Sequence, residues 1–339
     1  MSRRRLTMSD IAREAGVSKG TVSRVLNGRE GVGDETRARI LSLMAEHSYE
    51  ASFSAQSLAV QRAFNIGVVF PGSASGVLAN PTYTELLGAI GDRSEESGYG
   101  LSLLTTSTDS GDARVLRDVA RGRLDGVLLP AVKDGDSILD RLVDAGAPTV
   151  LIGHRDDRVP WTDSDGDRAL RDLTAALLRA GHRRLAFLDG PTEYMACRLR
   201  QEGFEHALRE AGVAPLAITS GPFSSEYGFR EAARLLEAPE RPTAIMCGSD
   251  LIAAGCLAAI RERGLRVPQD VAVTGFDDDR LAPVMSPPLT SVRMPIRDLG
   301  VLAVELLLAL IEGHPIERPT HLLETTVVMR ASSGEAALT

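Results

Sequence analysis

Two rhythms of hydrophobic positions divide the chain. In the first fifty residues apolar side chains recur at helical spacing in three short runs: Ile11, Ala12 and Ala15, then Val22, Val25 and Leu26, then Ile40, Leu43 and Met44 with His47 one turn on. From Asn65 onward, continuous apolar runs of strand length alternate with amphipathic ones: IGVVF, YTELLGAIGDRSEESG, LSLLTT, ARVLRDVARG, DGVLLP, ILDRLVDAG and PTVLIG. After Asp163 the cycle restarts, from ALRDLTAALLRAG to VAVTGF. Strands that are apolar throughout suit a parallel sheet covered by helices on both faces. The pattern predicts an α/β chain: a small all-α helix-turn-helix head and a body of two doubly wound parallel-sheet subdomains. The run LGVLAVELLLALIEG (299–313) is only about half a membrane span and is broken by Glu305, so it reads as a buried helix.

The punctuation of the head is specific. Thr7-x-x-Asp10 is a capping-box pattern, Gly16 stands where the first helix must end left-handed, and Ser18 can cap the second. With Val22, Val25 and Leu26 turned toward the first helix, Lys19, Gly20, Ser23 and Arg24 face outward. A tight pair of helices with such a polar second face is built to lie in a DNA major groove. The candidate DNA contacts are Thr7, Ser18, Lys19, Gly20, Thr21, Ser23, Arg24, Asn27 and Arg29. Lys19 can donate to guanine or to a phosphate, and Arg24, assisted by Ser23, suits a bidentate guanine contact. Thr21 and the loop residue Arg29 can touch phosphates, whereas Gly20 presents no side chain. A third helix over residues 34–47 closes a miniature core, with His47 at its boundary rather than serving as a ligand.

Charge sharpens this reading. The 339 residues suffice for two or three units, and the net charge of −8 conceals +3 over residues 1–62 and −11 over the rest. A mildly basic head on an acidic body fits contact with phosphates at one end only. Cys197, Cys247 and Cys256 are odd in number and widely spaced, which argues against a zinc site and a disulfide framework. No metal or cofactor is expected. The start MSRRRLTMSD has no apolar run after it and no stretch is long enough to span a bilayer, so a cytoplasmic location without membrane contact is expected. There is no GxGxxG after the first strand, no P-loop and no nucleophile elbow, and His154, His182 and His206 have no evident acid/base partner in sequence. No catalytic residues are assigned and no enzyme is expected.

The run from Thr7 to about Tyr49, with VSKGTVSRVLNG inside it, followed by SAQSLA and NIGVVFP, resembles the lactose/galactose-repressor family of bacterial transcriptional regulators. Family-like phrases continue to Arg330. The resemblance implies a helix-turn-helix domain over 1–50, a hinge helix or linker over 51–62, and an effector-binding and dimerisation domain over 63–339. That body would have the periplasmic-binding-protein fold, its chain crossing between subdomains near 162, 291–293 and 322–323. The resemblance further implies a homodimer on a pseudo-palindromic double-stranded DNA operator, a small-molecule effector, and Leu58 wedged into the minor groove. Lys19 and Gly20 match the positions that the family varies to choose base sequence. The hinge departs from the family pattern: Ala51 and Ser52 stand for Pro-Asn, Gln56 for an arginine and Val60 for a glycine. The tail after Arg330 carries no leucine heptads, so no tetramer-forming coiled coil is expected.

Ligands of doubly wound sheets sit outside the carboxyl ends of the strands. Asn80, Thr82, Tyr83, Asp163, Arg200, Phe223, Ser249 and Asp277 fall there and are the candidate effector contacts. By resemblance Arg200 and Asp277 match regular effector contacts and Phe223 an aromatic wall. An arginine forks to two oxygens, a carboxylate accepts from paired hydroxyls, and a ring covers the apolar face of a sugar. Structural readings stay open beside these: a surface charge for Arg200, loop support for Asp277, core for Phe223. Asp250 suits helix capping as well as ligand contact, and Trp161 suits packing at a crossing as well as stacking on a ligand. Ser249 stands where the family commonly has asparagine, and Gly153-His154 where an aspartate is common. A sugar or sugar derivative is the expected effector of a repressor. The alternatives are a regulator of a purine or other polar metabolite, and a sensor with weak or non-specific DNA binding.

Overall fold

The computed structural model describes residues 7–26, 31–47, 62–106 and 109–334. They form two units, a head up to Phe64 and a body from Asn65. Asn27, Arg29, Leu58 and the four hinge departures lie outside the described residues.

The head holds three helices, α1 (Met8–Glu14), α2 (Lys19–Leu26) and α3 (Asp34–Glu46). At the start of α1 the Asp10 carboxylate accepts from the Thr7 backbone N–H at 2.9 Å and from its hydroxyl at 2.6 Å. Gly16, at φ +64°, ends the helix, and the Val17 N–H reaches back to the Ala12 carbonyl at 2.9 Å. Ser18 Oγ then accepts from the Thr21 N–H at 3.1 Å and starts α2. Met8, Ile11, Ala12, Ala15, Val22, Val25 and Ile40 form the core, with Leu43 and Met44 partly buried against it. His47 Nε2 lies 3.0 Å from Glu14 Oε2 and ties the end of α3 to α1 at the core's edge.

The body carries two six-stranded sheets. The first contains β1 (Asn65–Pro71), β2 (Gly100–Thr106), β3 (Gly126–Pro130), β4 (Thr149–Ile152), β5 (Trp161–Ser164) and, far along the chain, β11 (Thr320–Leu323). Their order is β11-β5-β4-β3-β1-β2, all parallel. Helices α4 (Ala74–Ala79), α5 (Pro81–Glu96), α6 (Asp109–Ala120) and α7 (Ser137–Asp144) connect them. The second sheet contains β6 (Leu185–Asp189), β7 (Ala217–Ser220), β8 (Ala244–Cys247), β9 (Ala272–Asp277), β10 (Thr290–Arg293) and β12 (Thr326–Val328). The order is β12-β10-β9-β8-β6-β7, with only β12 antiparallel to its neighbour. Its helices are α8 (Gly166–Arg179), α9 (Met195–Glu210), α10 (Ser225–Glu237) and α11 (Asp250–Glu262).

The expectation of fully buried strands needs correcting at the edges. Strands β3, β4, β6 and β8 are buried at every residue, but β2 and β7 are largely half-buried or exposed. An edge strand has a neighbour on one side only, and the sequence runs LSLLTT and PLAITSG do not advertise that position.

The chain passes between the sheets three times: from β5 into α8, from β10 into α12 (Ile296–Glu312), and from β11 into β12. Helix α12 returns to the first sheet and packs on α5, burying Leu299, Ala303, Val304 and Leu307 while Glu305 stays outside and pairs with Arg93 at 3.2 Å. No helix among the described residues is long and apolar enough to cross a membrane. At the first crossing Asp165 Oδ1 accepts from the Thr325 N–H and hydroxyl, both at 2.7 Å, so it grips the third crossing directly.

Helices α10 and α11 meet backbone to backbone. A Cβ added to Gly228 would lie 2.1 Å from the Ile252 carbonyl oxygen, and one on Gly255 would lie 2.0 Å from that of Ser225. Neither neighbour is a side chain that can rotate away. Gly255→Ala should therefore lower stability by about 1–3 kcal/mol through forced separation of the helices. Urea unfolding with an unchanged midpoint would refute this packing argument.

Candidate functional site

Two surfaces gather the predicted residues. On the head, the exposed side of α2 carries Ser18, Lys19, Gly20 and Arg24, with Thr21 and Ser23 half-buried beside them and Thr7 exposed at the start of α1. Ser18 Oγ and Thr21 Oγ1 are 2.9 Å apart, which holds both hydroxyls at the helix start. Among the described residues neither Lys19 nor Arg24 forms an ion pair. A Cβ at Gly20 would meet nothing closer than Ser18 Oγ at 3.6 Å. The bare patch there reflects a missing side chain and not a packing need.

The second surface is the cleft between the two sheets of the body, which is closed. Thr82 Oγ1, in the first turn of α5, donates to Asp277 Oδ2 at the end of β9 across a distance of 2.9 Å. A cavity of about 150 Å³ adjoins this bond, lined by Thr82, Asp277, Arg293 and Met294. The loops after β3 and β6 also meet. Lys133 Nζ lies 3.3 Å from Glu193 Oε1, Arg198 lies 2.6 Å from Asp134, and the Asp134 N–H donates to the Glu193 carbonyl at 2.9 Å.

Arg200 projects from α9 and is buried. Its Nη2 lies 3.1 Å from Asp189 Oδ1, and its guanidinium sits 4.7 Å from the Phe276 ring centre and 5.8 Å from that of Phe223. Phe223 lies over the end of β6, where a Cβ at Gly190 would come within 2.1 Å of the ring. Tyr194 stands 6.4 Å from the Phe223 ring, and Tyr83 packs against Phe70 with ring centres 4.9 Å apart and planes tilted by 49°. Burial, reinforced by Tyr194, Cys197 and Asp277, pushes the Tyr83 hydroxyl far above its usual range, so it stays a neutral donor. For Arg200 burial alone would favour loss of the proton, but the neighbouring Asp189 outweighs it and holds the guanidinium charged.

Thr82, Tyr83, Arg200, Phe223 and Asp277 thus come together, while three other candidates have different employment. Asn80 Oδ1 accepts from the N–H groups of Thr82 and Tyr83 and so starts α5. Ser249 is the cap of α11, its hydroxyl accepting from the Ile252 N–H at 3.2 Å. Asp163 commits both oxygens locally, one to Arg155 Nε at 2.6 Å and the other to the Ser164 N–H at 2.8 Å. Trp161 joins the core cluster beside it, with Arg155 5.6 Å above the ring. Asp250 is not a cap: it is buried one residue inside α11 and accepts from Ser291 Oγ at 2.6 Å and the Asp279 N–H at 2.8 Å. Asp189 was not among the candidates, although an acid closing an apolar strand in RRLAFLDG is the same signal that singled out Asp277 in VAVTGFDD.

Two of these acids make stability depend on pH. Burial, and for Asp250 the neighbouring Asp277 charge, raises Asp250 to about 8, while burial raises Asp277 to about 7 against the opposing pull of Arg200. Both therefore hold protons in the folded chain at pH values where the unfolded chain, near 3.9, has lost them. Folding then binds protons, so stability falls as pH rises from about 4 through 8 and levels off above. Tm should be higher at about pH 5.5 than at about 8.5, and Asp250→Asn should flatten the difference. A Tm that rises across this interval in the parent and the variant alike would contradict the assignment.

Two family models match the chain. The model described as bacterial regulatory proteins, lacI family, matches residues 7–52, and the one described as a periplasmic binding protein-like domain matches residues 174–333. The ribose operon repressor of Haemophilus influenzae is 35% identical over 341 residues, spanning 96% of this chain and 98% of the relative. The HTH-type transcriptional regulator CelR of Thermobifida fusca is 32% identical, spanning 97% of this chain and 99% of the relative. Among solved structures, a Lac repressor dimer bound to operator and an anti-inducer aligns with a TM-score of 0.85 at 29% identity, covering 98% of this chain and 100% of that one. A CelR–cellobiose complex aligns with a TM-score of 0.75 at 32% identity, covering 97% of this chain and 100% of that one.

Proposed function

The chain belongs to the lacI family of bacterial regulatory proteins, and from that premise we propose a ligand-responsive repressor that binds a pseudo-palindromic operator as a homodimer. The observation that carries this reading is a single chain joining an α2 face, where Lys19 and Arg24 have no ion pair among the described residues, to a cleft bridged by Thr82 and Asp277. Residues 1–50 serve as the DNA-binding domain, 51–62 as the hinge and 63–339 as the effector-binding and dimerisation domain. Lys19, Ser23 and Arg24 face base edges, Gly20 lets the backbone approach closely, and Thr7, Ser18 and Thr21 face phosphates. Asn27 and Arg29 are assigned DNA contacts from their place in the sequence at the end of α2 and in the loop after it, and Leu58 from the family pattern alone.

In the body, Thr82, Tyr83, Arg200, Phe223 and Asp277 contact the effector. Asn80 and Ser249 fix the helix starts around it, and Asp163 holds the first crossing. The effector is a small sugar or sugar derivative, a reading supported by the names of the ribose operon repressor and the CelR–cellobiose complex. Such a ligand changes DNA affinity only by preferring one degree of cleft closure, a preference passed through the three crossings to the hinge. The protein acts in the cytoplasm and is not an enzyme; the relatives named above are regulators.

Selection of the purified protein on a random double-stranded DNA library at near-physiological salt tests this reading. Enrichment of a palindrome with two half-sites is the expected result. Binding without any enriched sequence, with and without candidate sugars, would replace the repressor with a sensor that has lost operator recognition.

A further inference from the structure

The cleft floor at the ends of β6 and β8 holds an ion pair that is only half satisfied. Asp189 Oδ1 accepts from the Gly190 N–H at 2.7 Å and from Arg200 Nη2 at 3.1 Å. Its other oxygen, Oδ2, is buried with no hydrogen-bond partner, and so is Arg200 Nε. The carboxylate lies over the bare backbone of Gly248, where an added Cβ would fall on top of Oδ1. The two orphans are of opposite kind, an acceptor and a donor. A hydroxyl is both, whereas a phosphate or carboxylate can only accept.

The charge balance points the same way. Arg200 already has a counter-charge in Asp189, 3.1 Å away, while burial raises Asp277 to about 7 and pushes the Cys197 thiol up to about 12, leaving it neutral. An anionic ligand group would have to displace Asp189 from Arg200 and then sit beside the displaced carboxylate. The Phe223 ring beside the guanidinium offers an apolar wall to a carbon-rich face.

Resting on the reading of this cleft as the effector site, we propose that Asp189 is a specificity-determining residue: it occupies Arg200 so that anions are turned away, and it offers its free oxygen to a hydroxyl of an uncharged polyol ligand. The effector is then a non-phosphorylated, non-acidic sugar or glycoside and not a sugar phosphate, a nucleotide or an aldonate.

The test uses the full chain with inorganic phosphate as the probe. Thermal unfolding and calorimetry should detect no phosphate binding at the cleft of the parent protein. Asp189→Asn keeps the shape and frees Arg200, so phosphate should bind it at least about tenfold more tightly, ~1.4 kcal/mol. The gain should vanish in the double variant D189N/R200M. Asp189→Ser serves as the second variant should the asparagine form fail to fold. Phosphate binding the parent as tightly as the variants, or neither variant gaining affinity, overturns the proposal. Matched probes add a direct reading: D-ribose against D-ribose 5-phosphate, and cellobiose against cellobionate. A charged member that binds the parent more tightly than its uncharged partner also overturns it. Failure of the repressor reading is visible separately, as a DNA selection with no enriched motif.

Discussion

Arg200→Met is expected to abolish the ligand dependence of operator binding while effector-free protein still binds DNA, and to cost about 3–5 kcal/mol of stability in the body. Both effects have one origin. Removing the guanidinium deletes the proposed ligand contact and strands Asp189, a buried carboxylate whose proton affinity burial already raises. Asp189 in the variant should take up a proton, so the stability loss is smallest at low pH and grows as pH rises. D189N/R200M removes both charges and should recover most of the stability, but not the ligand response. Urea unfolding at two pH values and an operator-release titration measure the two effects separately. A variant that keeps its ligand response would remove Arg200 from the site.

Arg24→Ala is expected to weaken specific operator binding by about 1–3 kcal/mol and to relax sequence preference at one base pair of each half-site. Non-specific binding should change little, because the loss is of a paired contact to a base and not of general charge. Arg24 is exposed, outside the head's core, and without an ion pair among the described residues, so the variant should fold as the parent does. Competition binding against operators altered one base pair at a time would show this. An equal loss against every sequence would recast Arg24 as a phosphate contact.

The head was legible because its instructions are local. Thr7 with Asp10, Gly16, and Ser18 each act within about four residues, so the sequence displays cause and effect side by side. The alternation of β and α runs was equally plain. What the sequence concealed were contacts made across a loop or between distant elements. Asp163 falls where a ligand residue belongs, yet it is held by Arg155, which no spacing rule brings to it. Thr82 and Asp277 were both singled out, but their bond spans 195 residues and only the folded chain reveals it. Asp189 was missed for a related reason: its importance comes from Arg200 on another element and from the bare backbone of Gly248 beneath it.

The three crossings bear on how the molecule is made. The first sheet cannot be completed until β11 at 320–323 is available, and the second waits for β12 at 326–328, so both lobes take their edge strands from the last stretch of the chain. Contacts of such long sequence separation slow folding and leave partly built sheet edges open during synthesis. The protein should become competent for its ligand only once residues 320–328 are in place, when the grip of Asp165 on Thr325 joins the two lobes. A chain that stops short of Thr320 would lack both edge strands and carry no finished cleft.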